Sequence, residues 1–328
     1  MTPDEYLADE AVAESIEAQR LAAGSTEEAN SILGDLQDAL LLLLAGAGAR
    51  MATRIGSINK LISKAYQRIS ALVDAGDIGA TFAEKTLSNL EKAFSDFEPS
   101  PAPKASAAAK NATVEGHSPP AWWQRQAEQL AFRVTGIVKS SAGAVSVDAS
   151  ESAAKLSAAM QAAASQAKSL IYTTTNAAAA AGRVNAFTVN GVVMRGFRQI
   201  SVLDSRTTDK CRDYHGCEWD LGFQPVGRKK RPYENGCPRH FGCRSVIVAI
   251  PAPGLTATPA VEAMAAVDIA GGATLAQWAR SKADGVQREL FGAGKLAQFE
   301  AGVITQSQLL DAAGNPTTLK DLRRRYGF

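Results

Sequence analysis

All four cysteines of the chain and two of its three histidines lie within one segment, which runs from residue 204 to residue 245. The segment reads DSRTTDKCRDYHGCEWDLGFQPVGRKKRPYENGCPRHFGCRS. Its cysteines and histidines are Cys211, His215, Cys217, Cys237, His240 and Cys243. This concentration constrains the fold, because these side chains have to meet around a metal ion, pair as disulfides or be buried as free thiols.

The spacing of these residues favours a structural metal site. Zinc takes four tetrahedral ligands from thiolates and imidazoles, commonly as two close pairs joined by a loop. Cys237, His240 and Cys243 form a C-x2-H-x2-C motif, whereas the C-x5-C spacing of Cys211 and Cys217 is looser than usual. We predict a zinc site drawn from these five residues, and free buried thiols and disulfides stay open as alternatives.

The N-terminal sequence favours metal over disulfides. MTPDEYLADEAVAES is acidic and lacks the basic start and apolar core of a signal peptide, so we expect folding in a reducing cytoplasm. The longest apolar run, ALLLLLAGAGA from Ala39 to Ala49, is too short to cross a bilayer, which needs about 20 residues. We therefore predict a chain without a membrane segment.

Charge is nearly balanced over the 328 residues, with 35 basic and 33 acidic side chains. This balance excludes a protein that coats nucleic acid and a polybasic membrane-binding protein. One local exception is the run Arg228, Lys229, Lys230 and Arg231. These cations are candidates for phosphate contact with nucleic acid, although the loop lacks the interleaved aromatic residues that stack on bases. A solvated surface loop or a partner contact is the alternative.

Four regions differ in composition. In residues 1–96 the apolar periodicity predicts helices, since Ile55, Ile58 and Ile62 recur at steps of three and four. Residues 97–120 are a Pro/Ala/Ser mixture that predicts a linker or extended arm. Residues 121–190 predict Ala-rich helices, with low-complexity disorder as the competing interpretation. Residues 191–328 predict a C-terminal domain that holds the Cys/His cluster.

Two strands should flank the cluster. VVMRGFRQISVLDS alternates and is rich in β-branched residues, and CRSVIVAIPAP ends in a β-branched run that Pro251 terminates. The cluster then lies in the connection of a small antiparallel sheet. The expected class is α+β, with a mainly helical N-terminal half and flanking helices after the sheet.

Residues 173–322 resemble a known family, the Mu F-like head morphogenesis proteins of tailed bacteriophages. In that family an Ala-rich helix ending in Gly-Arg precedes a strand, then D-x-R-T-C-x-x-C, and later P-x-H-x-x-C-R-C. This chain has AAAAAGR, then DSRTTDKC and PRHFGCRS, and its tail from Thr274 to Leu322 looks like the family's closing segment. The residues that match by position are Asp204, Arg206, Thr207, Cys211, Gly216, Pro238, His240, Cys243 and Arg244.

Two positions depart from the family pattern, because Thr208 and Ser245 stand where the family has cysteines. The resemblance implies that Cys211, His240 and Cys243 are metal ligands and that Cys237 or Cys217 completes the tetrahedron. The residues expected to support the cluster are Asp204, Arg206, Thr207 and Arg244.

The resemblance further implies a minor capsid protein of the virion, bound at the portal vertex or inside the capsid and made in the host cytoplasm. Its partners would be the portal protein and capsid or scaffold components, its role would be head assembly or DNA packaging, and it would be a candidate for ejection with the genome. We expect no enzyme, because the sequence shows no nucleophile–base pair, phosphate loop or carboxylate dyad. A metal-stabilised DNA-binding module and an injected effector enzyme are the alternatives.

Overall fold

The computed structural model describes residues 2–45, 54–142, 149–201, 208–259, 293–304 and 319–327. The helices described are α1 (Pro3–Ala45), α2 (Ile55–Ser70), α3 (Ala75–Ala93), α4 (Ala105–Lys110), α5 (Pro119–Ala142), α6 (Ala149–Val189), α7 (Asp209–Tyr214), α8 (Ala293–Glu300) and α9 (Leu319–Tyr326). The strands described are β1 (Met194–Ile200), β2 (Glu218–Asp220), β3 (Pro225–Val226) and β4 (Val246–Pro251). The predicted α+β class is confirmed.

The sheet has the strand order β3-β2-β1-β4, and every pairing is antiparallel. The two strands predicted on either side of the cluster, β1 and β4, pair directly, with Phe197 opposite Ala249. Gly196 is required in β1, because a Cβ at this position would overlap with the carbonyl oxygen of Trp219 in β2. The β1–β4 pair therefore forms the base from which the intervening cluster segment emerges.

The chain divides into two compact units that do not follow the linear order of the sequence. The first contains Met1–Arg20, Ala75–Glu115 and Thr175–Phe328, and the second contains Leu21–Asp74 and Gly116–Thr174. The long helices α1 and α6 each contribute to both units. Both the sheet and the cluster belong to the first unit.

The core of the first unit combines distant parts of the chain. Helix α1 supplies Tyr6 and Leu7, α3 supplies Leu90, and Phe94 directly follows α3. These side chains pack with buried residues of the sheet and the cluster segment, which include Phe197, Tyr214, Cys217, Trp219, Cys237 and Ile247. The cluster is thus built over a core to which the N-terminal helix contributes.

In the second unit, the apolar face predicted for α2 is buried. Its buried residues are Ile58, Ile62, Ala65, Tyr66 and Ile69. This helix packs against α5, where the ring of Trp123 lies 6.3 Å from that of Tyr66, centroid to centroid. The predicted steps of three and four therefore mark a helix-packing face in this unit.

The segment from residue 97 to residue 120, predicted as a linker, contains a helix. Ala105 and Ala109 of α4 are buried, and α4 packs against α3. The Asn190 side chain fixes the approach to this helix, since its Oδ1 accepts from Ser100 N at 2.7 Å and its Nδ2 donates to Ser100 O at 3.1 Å. Alanine side chains are small enough for this close packing, a tertiary effect that composition does not reveal. The Ala-rich stretch is likewise helical, as α6.

Candidate metal centre

Two separate pieces of the cluster segment bring the candidate ligands together. Cys211 lies in the one-turn-and-a-half helix α7, which follows Thr208. The Thr208 hydroxyl accepts a hydrogen bond from Cys211 N at 3.3 Å and so caps this helix. His240 and Cys243 lie in the loop before β4, and the Cys243 N–H closes a turn on the His240 carbonyl at 3.2 Å. A ligand between the two pieces would therefore join α7 to the start of β4.

Cys211, His240 and Cys243 form a group that could hold a metal ion, because their ligand atoms all lie within 4.8 Å of one another. Cys211 Sγ is 3.6 Å from Cys243 Sγ and 3.1 Å from His240 Nε2. Tetrahedral zinc with ordinary bond lengths places two sulfurs, or a sulfur and a nitrogen, about 3.5 to 3.8 Å apart. The sulfur pair meets this spacing, and the sulfur–nitrogen pair is slightly closer.

The His240 ring is oriented as in a metal ligand. Its Nδ1 lies 2.8 Å from the carbonyl oxygen of Phe241, which fixes the proton on Nδ1 and leaves the Nε2 lone pair facing Cys211. A backbone carbonyl is a common partner for the second nitrogen of a metal-bound imidazole. The hydrogen bond to Cys211 raises the pKa of His240 above its usual range.

The two thiols are strongly perturbed. A hydrogen bond with Cys243, together with burial, raises the pKa of the Cys211 thiol to about 11. In Cys243 the hydrogen bond with Cys211 lowers the pKa, but the neighbouring Cys237 thiol and burial outweigh it and raise the pKa to about 11. Without a cation, both groups are therefore neutral thiols near pH 7, and a divalent cation would supply the charge that stabilises two thiolates.

The other two predicted ligands lie outside this group of three. Cys217 is fully buried in the core of the first unit, with its Sγ 3.6 Å from the carbonyl oxygen of Asp213. Cys237 is also a core residue, and its thiol hydrogen-bonds to Cys243. His215 accepts from Ser201 N through Nδ1 at 3.0 Å and serves the end of β1. Cys217 and His215 are therefore engaged elsewhere, whereas Cys237 contacts Cys243 without belonging to the group of three.

The residues expected to support the cluster fall mostly outside the described chain. Asp204, Arg206 and Thr207 are not among the described residues. Arg244 is half-buried between Cys243 and Ser245. The Ser245 hydroxyl donates to Ser201 Oγ at 2.8 Å, and its hydrogen bond with the Cys211 thiol offsets part of the rise in the pKa of that thiol. Ser245 thus lies beside the cluster as a hydroxyl and not as a ligand.

Arg239 is a supporting residue that the sequence analysis missed. Its side chain is buried, and its guanidinium lies 3.6 Å from the ring centroid of Tyr214. Its Nε donates to Gln199 Oε1 of β1 at 2.7 Å. The sequence signal for this role was an arginine immediately before a candidate ligand. Only a planar guanidinium can stack on an aromatic ring and at the same time donate hydrogen bonds in its own plane.

The basic loop is largely engaged with the protein itself. Its residues Arg228, Lys229, Lys230 and Arg231 are exposed. Lys229 Nζ donates to the His215 carbonyl oxygen at 2.7 Å, and Lys230 Nζ donates to another backbone carbonyl at 3.2 Å. Arg231 Nε forms an ion pair with Asp213 Oδ2 at 2.8 Å. Three of the four cations therefore help to hold this loop, which weakens the argument for phosphate binding.

A small cavity adjoins the cluster. Its volume is about 20 Å³, and its lining includes Cys237, Cys243 and Arg183. This is room for a single water molecule and too little for an organic substrate. Nothing about this cavity favours a substrate site beside the cluster.

Comparisons of the chain with protein-family models, with curated proteins and with solved structures gave no match. Among the residues that the structure describes, no helix combines the length and the apolar character that crossing a membrane requires.

Proposed function

We propose that the chain is a minor head protein of a tailed bacteriophage, of the Mu F-like kind, and that a structural metal ion ties its cluster segment together. The observation that carries the proposal is the convergence of Cys211, His240 and Cys243. These are the three cluster positions at which the chain keeps the thiols and imidazole of the family pattern. The two motifs lie about 30 residues apart in the sequence, so the proximity of their side chains supports a common metal-binding role.

Zinc is the metal that suits these ligands best. Two thiolates and an imidazole are soft or borderline donors, which favour zinc over magnesium or calcium. A bound zinc ion would supply a covalent-strength link between the α7 helix and the loop before β4. The chain's own residues prepare for it: Phe241 O orients His240, and Thr208 caps the helix that carries Cys211.

On this proposal the protein is a structural component and not an enzyme. It would be made in the host cytoplasm, associate with the portal and with capsid or scaffold components, and act in head assembly or DNA packaging. A role in phosphate contact is left to the exposed Arg228, for which no hydrogen bond or ion pair is found among the described residues.

The location is tested on purified virions. Mass spectrometry of virions from cells that express the chain should detect it at a few copies per particle, and a map around the unique vertex should place it at the portal or inside the head. Purified virions that lack the chain, while the portal protein is detected in the same sample, would contradict the proposal.

The metal is tested by elemental analysis of the full chain purified under reducing conditions. We expect one zinc ion per chain, lost in Cys211→Ser and Cys243→Ser. Cys217→Ser is the matched control, because this thiol faces the Asp213 carbonyl and not the cluster. A protein with no stoichiometric zinc or iron, or equal loss of metal in all three variants, would overturn the metal site.

A further inference from the structure

The three clustered ligands leave one corner of a tetrahedral site without a thiol or imidazole. Cys217 is buried in the core with its thiol beside the Asp213 carbonyl, and the Cys237 thiol hydrogen-bonds to Cys243. Neither thiol belongs to the set of atoms that lie within 4.8 Å of one another. The atom that completes the site therefore has to be sought among the other neighbours of the three ligands.

Thr208 is such a neighbour. Its Oγ1 lies 2.9 Å from His240 Nε2, the nitrogen that faces Cys211. The same oxygen accepts from Cys211 N, so the cap of α7 fixes the hydroxyl beside two of the three ligands. The Ser245 hydroxyl, by contrast, approaches the Cys211 thiol.

Exposure distinguishes the Thr208 side of the cluster from the rest. Thr208 is exposed and His240 is half-buried, whereas Cys211 is 3 % exposed and Cys243 is 9 % exposed. A ligand arriving from solvent would therefore reach the site past Thr208, and the protein's own thiols are on the inner side.

We propose that position 208 is the fourth corner of the metal site, and that the corner is open to exchange with a thiolate from solvent. This rests on the proposed metal. In the resting state the corner is taken by the Thr208 hydroxyl, or by a water molecule that this hydroxyl holds. A neutral oxygen is a poor ligand for a borderline-soft cation, so a thiolate displaces it and leaves Cys211, His240 and Cys243 in place. The thiol loses its proton to solvent, and no oxidation takes place.

The proposal is tested with cobalt(II) in place of zinc in the full chain, because the near-ultraviolet charge-transfer absorption of cobalt grows with the number of bound thiolates. We expect two thiolates in the wild-type protein. Thr208→Cys should raise the absorption by roughly half, as three thiolates replace two. Thr208→Ser keeps the hydroxyl and should match the wild type, and Cys237→Ser should match it as well.

Exchange is read in the same samples by titration with 2-mercaptoethanol. The charge-transfer band should rise in the wild type and in Thr208→Ser, and it should stay constant in Thr208→Cys, whose corner is already filled. A wild-type spectrum of three thiolates that falls to two in Cys237→Ser would overturn the assignment of position 208 while leaving the metal site intact. Failure of both the wild type and Thr208→Cys to bind cobalt would overturn the metal site itself.

Discussion

The Arg239 side chain shows how one residue can order the surroundings of a metal site without touching the metal. It stacks on Tyr214 of α7 and donates to Gln199 of β1, and it directly precedes His240 in the chain. A guanidinium loses less on burial than an ammonium, because it is weakly hydrated and its donors point in fixed directions. The loop that carries His240 is thereby attached to both a helix and a strand.

Arg239→Lys should lower the free energy of unfolding by about 2 to 3 kcal/mol, because the ammonium loses the stacking on Tyr214 and cannot reach the same acceptor from a buried position. Urea denaturation of the metal-free chain measures this. Arg228→Lys, at an exposed site in the basic loop, should change stability by less than about 0.5 kcal/mol. Equal effects of the two substitutions would show that the buried stacking contributes nothing.

The raised thiol pKa values make zinc affinity depend on pH. Cys211 and Cys243 each have a pKa near 11 without metal, so each holds a proton at any pH between neutrality and about 10, and both protons leave when zinc binds. Affinity should therefore fall by roughly a hundredfold for each unit by which pH is lowered in this window, and more steeply once His240 also takes up a proton. Competition with a chelator at two pH values one unit apart measures it, and an affinity that does not vary with pH would contradict two-thiolate binding.

At the scale of the element, two consecutive residues of helix α6, Gly182 and Arg183, fix its packing in different ways. A Cβ at Gly182 would overlap with the backbone of Gly79, so only glycine lets α6 approach α3 this closely. Arg183 Nε lies 2.6 Å from Glu14 Oε2, and both side chains are buried. Asn89 Nδ2 donates to the other carboxylate oxygen of Glu14 at 3.0 Å. Helices α1, α3 and α6 meet at this ion pair.

Arg183→Met should destabilise the chain by about 3 to 5 kcal/mol, because it leaves the Glu14 carboxylate buried without a counter-charge. The double variant Glu14→Leu/Arg183→Met should recover most of this loss. Lys85→Met breaks the exposed pair of Lys85 with Glu17 and should cost at most about 1 kcal/mol. The measurement is urea denaturation of all three, and a double variant no more stable than Arg183→Met would rule out the ion pair as the cause.

The sequence predicted those features that depend on neighbouring residues. The Ala-rich stretch predicted α6, and the β-branched runs predicted β1 and β4, because helix propensity and alternation are local properties. The motif spacing predicted that thiols and an imidazole would meet. It did not separate Cys217 from Cys211, since packing in the core decides that. It also missed the pairing of Glu14 with Arg183, which are 169 residues apart.

At the scale of the whole molecule, the C-terminal region that the sequence marks off from residue 191 onward is not a self-contained body. Its sheet and cluster share a core with Tyr6 and Leu7 of α1, with Leu90 of α3 and with Phe94, which follows α3. The compact unit is accordingly made of three separate stretches of chain. Residues of the N-terminal half are therefore needed to bury the sheet and the cluster segment.

A chain that lacks residues 1–20 should lose cooperative unfolding and one-to-one zinc binding, because it lacks both Leu7 and the Glu14 partner of Arg183. Leu7→Ala in the full chain removes only one core side chain, so it should cost about 2 to 5 kcal/mol and leave the zinc stoichiometry unchanged. Urea denaturation and elemental analysis measure both variants. A truncated chain with the unfolding midpoint of the full chain would show that α1 is dispensable for the first unit.

The separation of Glu14 from Arg183 also has a consequence during synthesis. A ribosome that adds about 5 to 20 residues per second needs roughly 8 to 34 s to reach Arg183 after Glu14. Over that interval the Glu14 face of α1 has no partner in α6, and the sheet against which Tyr6 and Leu7 pack does not yet exist. The nascent chain is therefore exposed to aggregation early, and the first unit can close only after translation has passed β4.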